Sequence, residues 1–113
     1  MTDNDVYLIY SEQFRTIDDR LDDLVKQAVS FTQSNQITAA WKQANLNYLQ
    51  ARNKLFANRG GDIEASIQAF ARGQQAIIAL LEDLAKGSTT IDKVAGVISE
   101  GVAIGTKLER LGA

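Results

Sequence analysis

From Tyr7 the apolar positions Tyr10, Phe14, Ile17, Leu21, Leu24, Ala28 and Phe31 follow at alternating steps of three and four. That spacing keeps one stripe on one side of an α-helix. It predicts a first helix over residues 3–32, with Thr2 or Asp3 as the cap and Asp5 favourable in the first turn. A second stripe, Ile37, Trp41, Ala44, Tyr48, Ala51 and Leu55, is out of phase with the first. The change coincides with Ser30, Thr32, Gln33, Ser34, Asn35 and Gln36, whose side chains compete for backbone hydrogen bonds. A turn near 33–35 and a helix over 36–58 follow, with one helix running from 3 to 58 as the alternative.

Gly60 and Gly61 are the first glycines in the chain, and they predict the end of the second helix, with Gly60 as a left-handed cap. Asp62 then suits the N-cap of a third helix over 62–86, whose stripe is Ile63, Ile67, Phe70, Ile77, Leu81 and Leu84. Gln74 interrupts that stripe, and Gln13 lies beside the first one; a polar residue in such a seam sets register at some cost in stability. Lys86-Gly87 is a stop, and Thr89 or Thr90 caps a fourth helix over 90–111 carrying Ile91, Val94, Ile98, Val102 and Leu108. Nothing alternates with the period of a strand. The expectation is all-α, a single domain over 1–113, built as a four-helix up-down-up-down bundle.

Two helices depart from a plain bundle. At 100° per residue, Ala39, Leu46, Leu49 and Phe56 lie on nearly the opposite side of helix 2 from its main stripe. A helix apolar on two sides must be covered on both. Either helices 1 and 4 cover it together, or those four residues meet a partner chain, most simply a second copy. In helix 4, Gly101 and Gly105 fall on the apolar face and Gly96 lies opposite. Each interior glycine costs about 1 kcal/mol relative to alanine. They point to close backbone approach to a bulky neighbour such as Trp41, Tyr48 or Phe70, or to a helix that leaves the bundle to dock elsewhere.

Composition narrows the chemistry. The 113 residues include no Cys, His or Pro, so thiolate and imidazole catalysis and the common zinc sites have no residues to use. The net charge is −2. The acidic start Met1-Thr2-Asp3-Asn4-Asp5 is unlike a secretory leader, and no apolar run is long enough to span a membrane. A cytoplasmic location is the expectation. Charge is segregated: residues 1–23 carry seven acids and two arginines, whereas 24–61 carry Lys26, Lys42, Arg52, Lys54 and Arg59 and no acid. The pattern favours pairing of helices 1 and 2. No glycine-rich loop or helix-turn-helix signature accompanies the cations, so no nucleic-acid partner is expected.

Asp18-Asp19-Arg20-Leu21-Asp22-Asp23 puts carboxylates four apart on one helix side, a spacing able to hold Mg²⁺ for diphosphate chemistry. Over these six residues the string resembles the DDxxD motif of isoprenyl diphosphate synthases, which carry a second such motif. It is also similar to MazG-like nucleotide pyrophosphohydrolases, whose Mg²⁺ ligands lie on two helices. Either resemblance implies a matching carboxylate cluster on another helix. Helix 2 has none, and Glu82 and Asp83 lie near the end of helix 3. The expectation is therefore a solvated acidic face paired through Arg15–Asp19 and Asp22–Lys26, with no metal and no cofactor. The leading functional expectation is a non-enzymatic interaction module binding itself or another helical protein through Ala39, Leu46, Leu49 and Phe56. The alternatives are an apolar ligand held between the aromatic residues and the Gly101–Gly105 strip, and a Mg²⁺-dependent phosphohydrolase using Asp18, Asp19, Asp22 and Asp23.

Overall fold

The structure, a computed structural model, describes residues 1–56 and 60–112. It contains four helices: α1 (Asp3–Gln27), α2 (Phe31–Ala51), α3 (Gly61–Ala85) and α4 (Ile91–Leu111). The all-α four-helix bundle is as the periodicities require. Thr2 caps α1 in a reciprocal box, its hydroxyl accepting from the Asp5 N–H while the Asp5 carboxylate accepts from the Thr2 N–H. Thr90 caps α4 by accepting from the Lys93 N–H. Gly87, at φ 74°, supplies the left-handed residue that lets the chain leave α3.

Three boundaries differ from the sequence reading. The first turn lies at 28–30, not 33–35. Ser30 is the N-cap of α2, accepting from the Gln33 N–H at 3.1 Å, and the Gln33 side chain accepts from the Val29 N–H at 2.9 Å. Phe31 therefore opens α2 instead of closing α1, and it stands 83% exposed. α2 stops at Ala51 instead of 58. The 3.6-residue spacing ceases to apply beyond it, so Leu55 is exposed instead of facing the core, while residues 57 and 58 lie outside the described residues. Gly60 is extended at φ −71° and caps the start of α3 in place of Asp62; it is not a left-handed end to α2.

The helices alternate in direction. α1 packs on α2 and α3 on α4 as antiparallel hairpins, and the hairpins join chiefly through α2 and α4. Around the bundle the order is α1, α2, α4, α3, so that α2 and α3 lie diagonally opposite. Contacts from Gln33 to Asp92, Gln36 to Ser99 and Asn47 to Thr106 climb both chains together, so α2 and α4 run parallel.

Buried side chains form two clusters. One holds Ile17, Leu24, Ile37, Ile77, Leu81, Val94 and Ile98; the other holds Val6, Tyr10, Ala51, Phe56, Ile67, Phe70 and Leu108. Between them lies a polar level. Gln74 donates to the Thr16 hydroxyl at 3.2 Å, whereas both polar atoms of Gln13 and the Gln74 carbonyl meet no protein partner. Both glutamines are about 1% exposed. Desolvating such atoms costs about 1–3 kcal/mol each, which is the expense anticipated for polar residues in these seams.

Candidate interaction surface

α2 lies between α1 and α4, and its circumference divides three ways. Ile37, Ala44 and Ala51 are buried, and Trp41 and Tyr48 pack half-buried beside α1. The side toward α4 is polar. The Asn47 amide, wholly buried, donates to the Val102 carbonyl and the Thr106 hydroxyl and accepts from Gln43 at 3.0 Å. Gln33 bonds Asp92, and Gln36 bonds Ser99. The third side faces away from the bundle and carries Ala39, Lys42, Leu46 and Leu49, all exposed.

Leu46 and Leu49 are 46% and 50% exposed, so the chain itself leaves them uncovered. Phe56 corrects the expectation that grouped it with them. It follows the end of α2, is 1% exposed, packs its ring against Gly112, and donates its backbone N–H to the Asp3 carboxylate at 2.8 Å. The helical wheel placed it outward only because it assumed that α2 continued.

Beside Ala39 runs a groove of about 660 Å³ between α2 and α4 that opens to solvent. Small residues, Ala39, Ala40, Ser99 and Ala103, alternate along its walls with Gln36, Gln43, Val102 and Thr106. Lys107, Arg110 and Leu111 stand at its α4 C-terminal end, and among the described residues no carboxylate side chain lines it.

On the other flank of α2 an aromatic seam meets α1. Tyr48 stacks between Tyr7 and Phe14, with centroids 5.5 and 5.9 Å away, and the Trp41 indole donates to the Asp18 carboxylate at 2.9 Å. The neighbouring Tyr7 hydroxyl, then Ser11 and Arg15, draw the Tyr48 hydroxyl below its ordinary range. Arg52 is held above its ordinary value, first by Tyr7 and then by Tyr48. This seam joins the acidic α1 to α2, whose one cation is Lys42, with Arg52 at its C-cap.

The remaining sequence candidates resolve as follows. Asp18, Asp19, Asp22 and Asp23 are exposed, and among the described residues no group of three or more Asp, Glu, His or Cys converges as metal ligands would. Neither Arg15–Asp19 nor Asp22–Lys26 closes to ion-pair distance; Lys54–Glu109 does, at 3.5 Å. Arg59 lies outside the described residues. The Gly101–Gly105 strip is filled. A Cβ on Gly105 would stand 2.8 Å from the Phe70 ring, and one on Gly101 would stand 2.8 Å from Ile77 Cδ1. Phe70 was among the neighbours expected for this strip. Tyr10 seals the same place, donating to the Gly105 carbonyl at 2.7 Å, and its burial, then Glu109, pushes its hydroxyl well above the ordinary tyrosine range. Gly96 has nothing within 4 Å of its added Cβ.

The polar α2–α4 seam went unread at the sequence level. Its signal was present in the Gln33, Gln36, Gln43 and Asn47 spacing, which repeats every three to seven residues on one side of α2. No family model, no curated protein and no solved structure matches this chain. Among the described residues no helix is long and apolar enough to cross a membrane.

Proposed function

We propose that this protein is a non-catalytic helical interaction module that self-associates through the outward side of α2. The observation that carries the reading is that Leu46 and Leu49 stay half exposed on a side free of carboxylates, while the rest of α2 is engaged by α1 and α4. Charge supports the same reading. α1 exposes Glu12, Asp18, Asp19, Asp22 and Asp23 beside Lys42 of α2 and Arg52 at its C-cap. Two such layers related by a two-fold axis lay acid over cation twice, and an isologous contact requires that self-complementarity. The half-buried Tyr7, Phe14, Trp41 and Tyr48 add aromatic area to the same layer.

Native mass spectrometry with light scattering at micromolar concentration tests this. The expected result is a dimer that dissociates in the Leu46→Asp/Leu49→Asp double variant while the helical circular-dichroism spectrum is kept. A monomeric parent protein overturns the reading.

A further inference from the structure

Beyond self-association, we infer that the groove between α2 and α4 is a docking site for an acidic amphipathic helix of a partner protein. The shape argues for a macromolecular occupant. Small-molecule sites bury most of their ligand's surface, and this groove opens to solvent, so a small ligand would remain partly in water. A helix would lay one side in it.

The walls argue for a helix over an extended segment. Both are helices whose backbone bonds are satisfied internally, so an extended peptide would find few backbone partners there, whereas a helix brings its own. Ala39, Ala40 and Ala103 have short side chains and admit close approach of a third rod beside the Gln36–Ser99 bond. The α4 wall from Ser99 to Leu111 is about 18 Å long at 1.5 Å per residue, room for roughly three turns.

Charge sets the chemistry and the orientation. Lys107 and Arg110 stand three apart at one end; among the described residues neither is joined in an ion pair and no carboxylate side chain lines the groove. A partner with glutamates in its first turn would bring them to these cations, with its apolar side on the alanines and on Leu111. It would then run antiparallel to α2 and α4, with its positive N-terminal end beside the negative C-terminal end of α4.

The test uses two labelled synthetic peptides that share an alanine/leucine stripe, one with glutamates in its first turn and one with lysines there, in fluorescence anisotropy against the full chain. The expected result is saturable binding of the glutamate peptide. Binding of the lysine peptide, and binding of the glutamate peptide to the Lys107→Glu/Arg110→Glu variant, should each be about tenfold weaker. The exposed Ala103→Trp variant fills the groove and should abolish binding with helicity unchanged. Equal binding of both peptides, no binding of either, or full binding to Ala103→Trp overturns the inference. The same titration with the Leu46→Asp/Leu49→Asp variant keeps the two surfaces apart. Self-association is read from mass, and peptide binding should survive its loss.

Discussion

Toward α3, α4 presents Gly101 and Gly105, and Ile77 and the Phe70 ring sit within 3 Å of where their Cβ atoms would be. Toward α2 the same helix presents Ser99, Val102, Ala103 and Thr106, bridged by Gln36 and Asn47 and leaving a groove outside. One side of α4 is thus closed by shape and the other by hydrogen bonds. Close packing tolerates little change because interiors are dense and side chains have few places to go. A polar seam fixes register through directional bonds but need not fill its outer edge. The contrast puts the stability of α4 on the α3 side and leaves the α2 side to face partners.

The largest effect should come from overfilling the closed side. Gly105→Leu drives new atoms into the rigid Phe70 and Tyr10 rings and should destabilise by about 3 kcal/mol, the upper part of the overpacking range, measured by urea unfolding. Gly101→Ala meets mainly the movable Ile77 Cδ1 and should change stability by less than about 1 kcal/mol. Equal losses at the two positions would dissolve the distinction between a rigid and a yielding neighbour.

Next comes the polar side. Asn47→Leu removes the hydrogen bonds to Gln43, Val102 and Thr106 at a wholly buried position and should cost about 1–3 kcal/mol. Because those bonds set register between α2 and α4, it should also broaden amide resonances of both helices. Loss of stability without that broadening would reduce the seam to ordinary burial.

Gln13→Met tests the level between the two clusters. The change removes two buried polar atoms without protein partners at nearly constant volume and should raise stability by about 1 kcal/mol. A fall in melting temperature would show that Gln13 is satisfied in solution. Gly96→Ala, on the open side of α4, meets nothing and should add up to about 1 kcal/mol through helix propensity alone.

The smallest effect is confined to alkaline pH. Tyr10 is neutral, buried and bonded to Gly105, and its hydroxyl is raised above the ordinary value of 10.0. The folded chain therefore holds that proton more tightly than the unfolded chain. Its contribution is complete below about pH 10 and is lost as pH rises beyond it. Tyr10→Phe should remove this share of the alkaline decline in melting temperature. An unchanged alkaline limb would assign the decline to other groups.

Much of this arrangement was legible in one dimension. The alternation of three- and four-residue steps, the Thr2 box, the Gly87 stop and the Thr90 cap are local features, and local features are written in neighbouring residues. The Ser30–Gln33 cap was legible too, since Ser-x-x-Gln is the signature of a helix start, although the polar run and phase change just after it fit a turn at 33–35 as well. Leu46 and Leu49 followed from counting around a helix, and counting failed at Phe56 because a wheel has no knowledge of where its helix stops.

The chain alone therefore decided that the fold is all-helical and which stripes of it are apolar; that 3–58 divides into two helices and that neighbours close on Gly101 and Gly105 came from the structure. Which helices become neighbours depended on long-range packing. The order α1, α2, α4, α3 brings Asn47 under Thr106 and Phe70 onto Gly105, pairings separated by many residues that no spacing rule encodes. The groove beside Ala39 exists for the same reason. It is the space left when two rods meet through polar side chains, and empty space belongs to an arrangement of helices and not to any one of them.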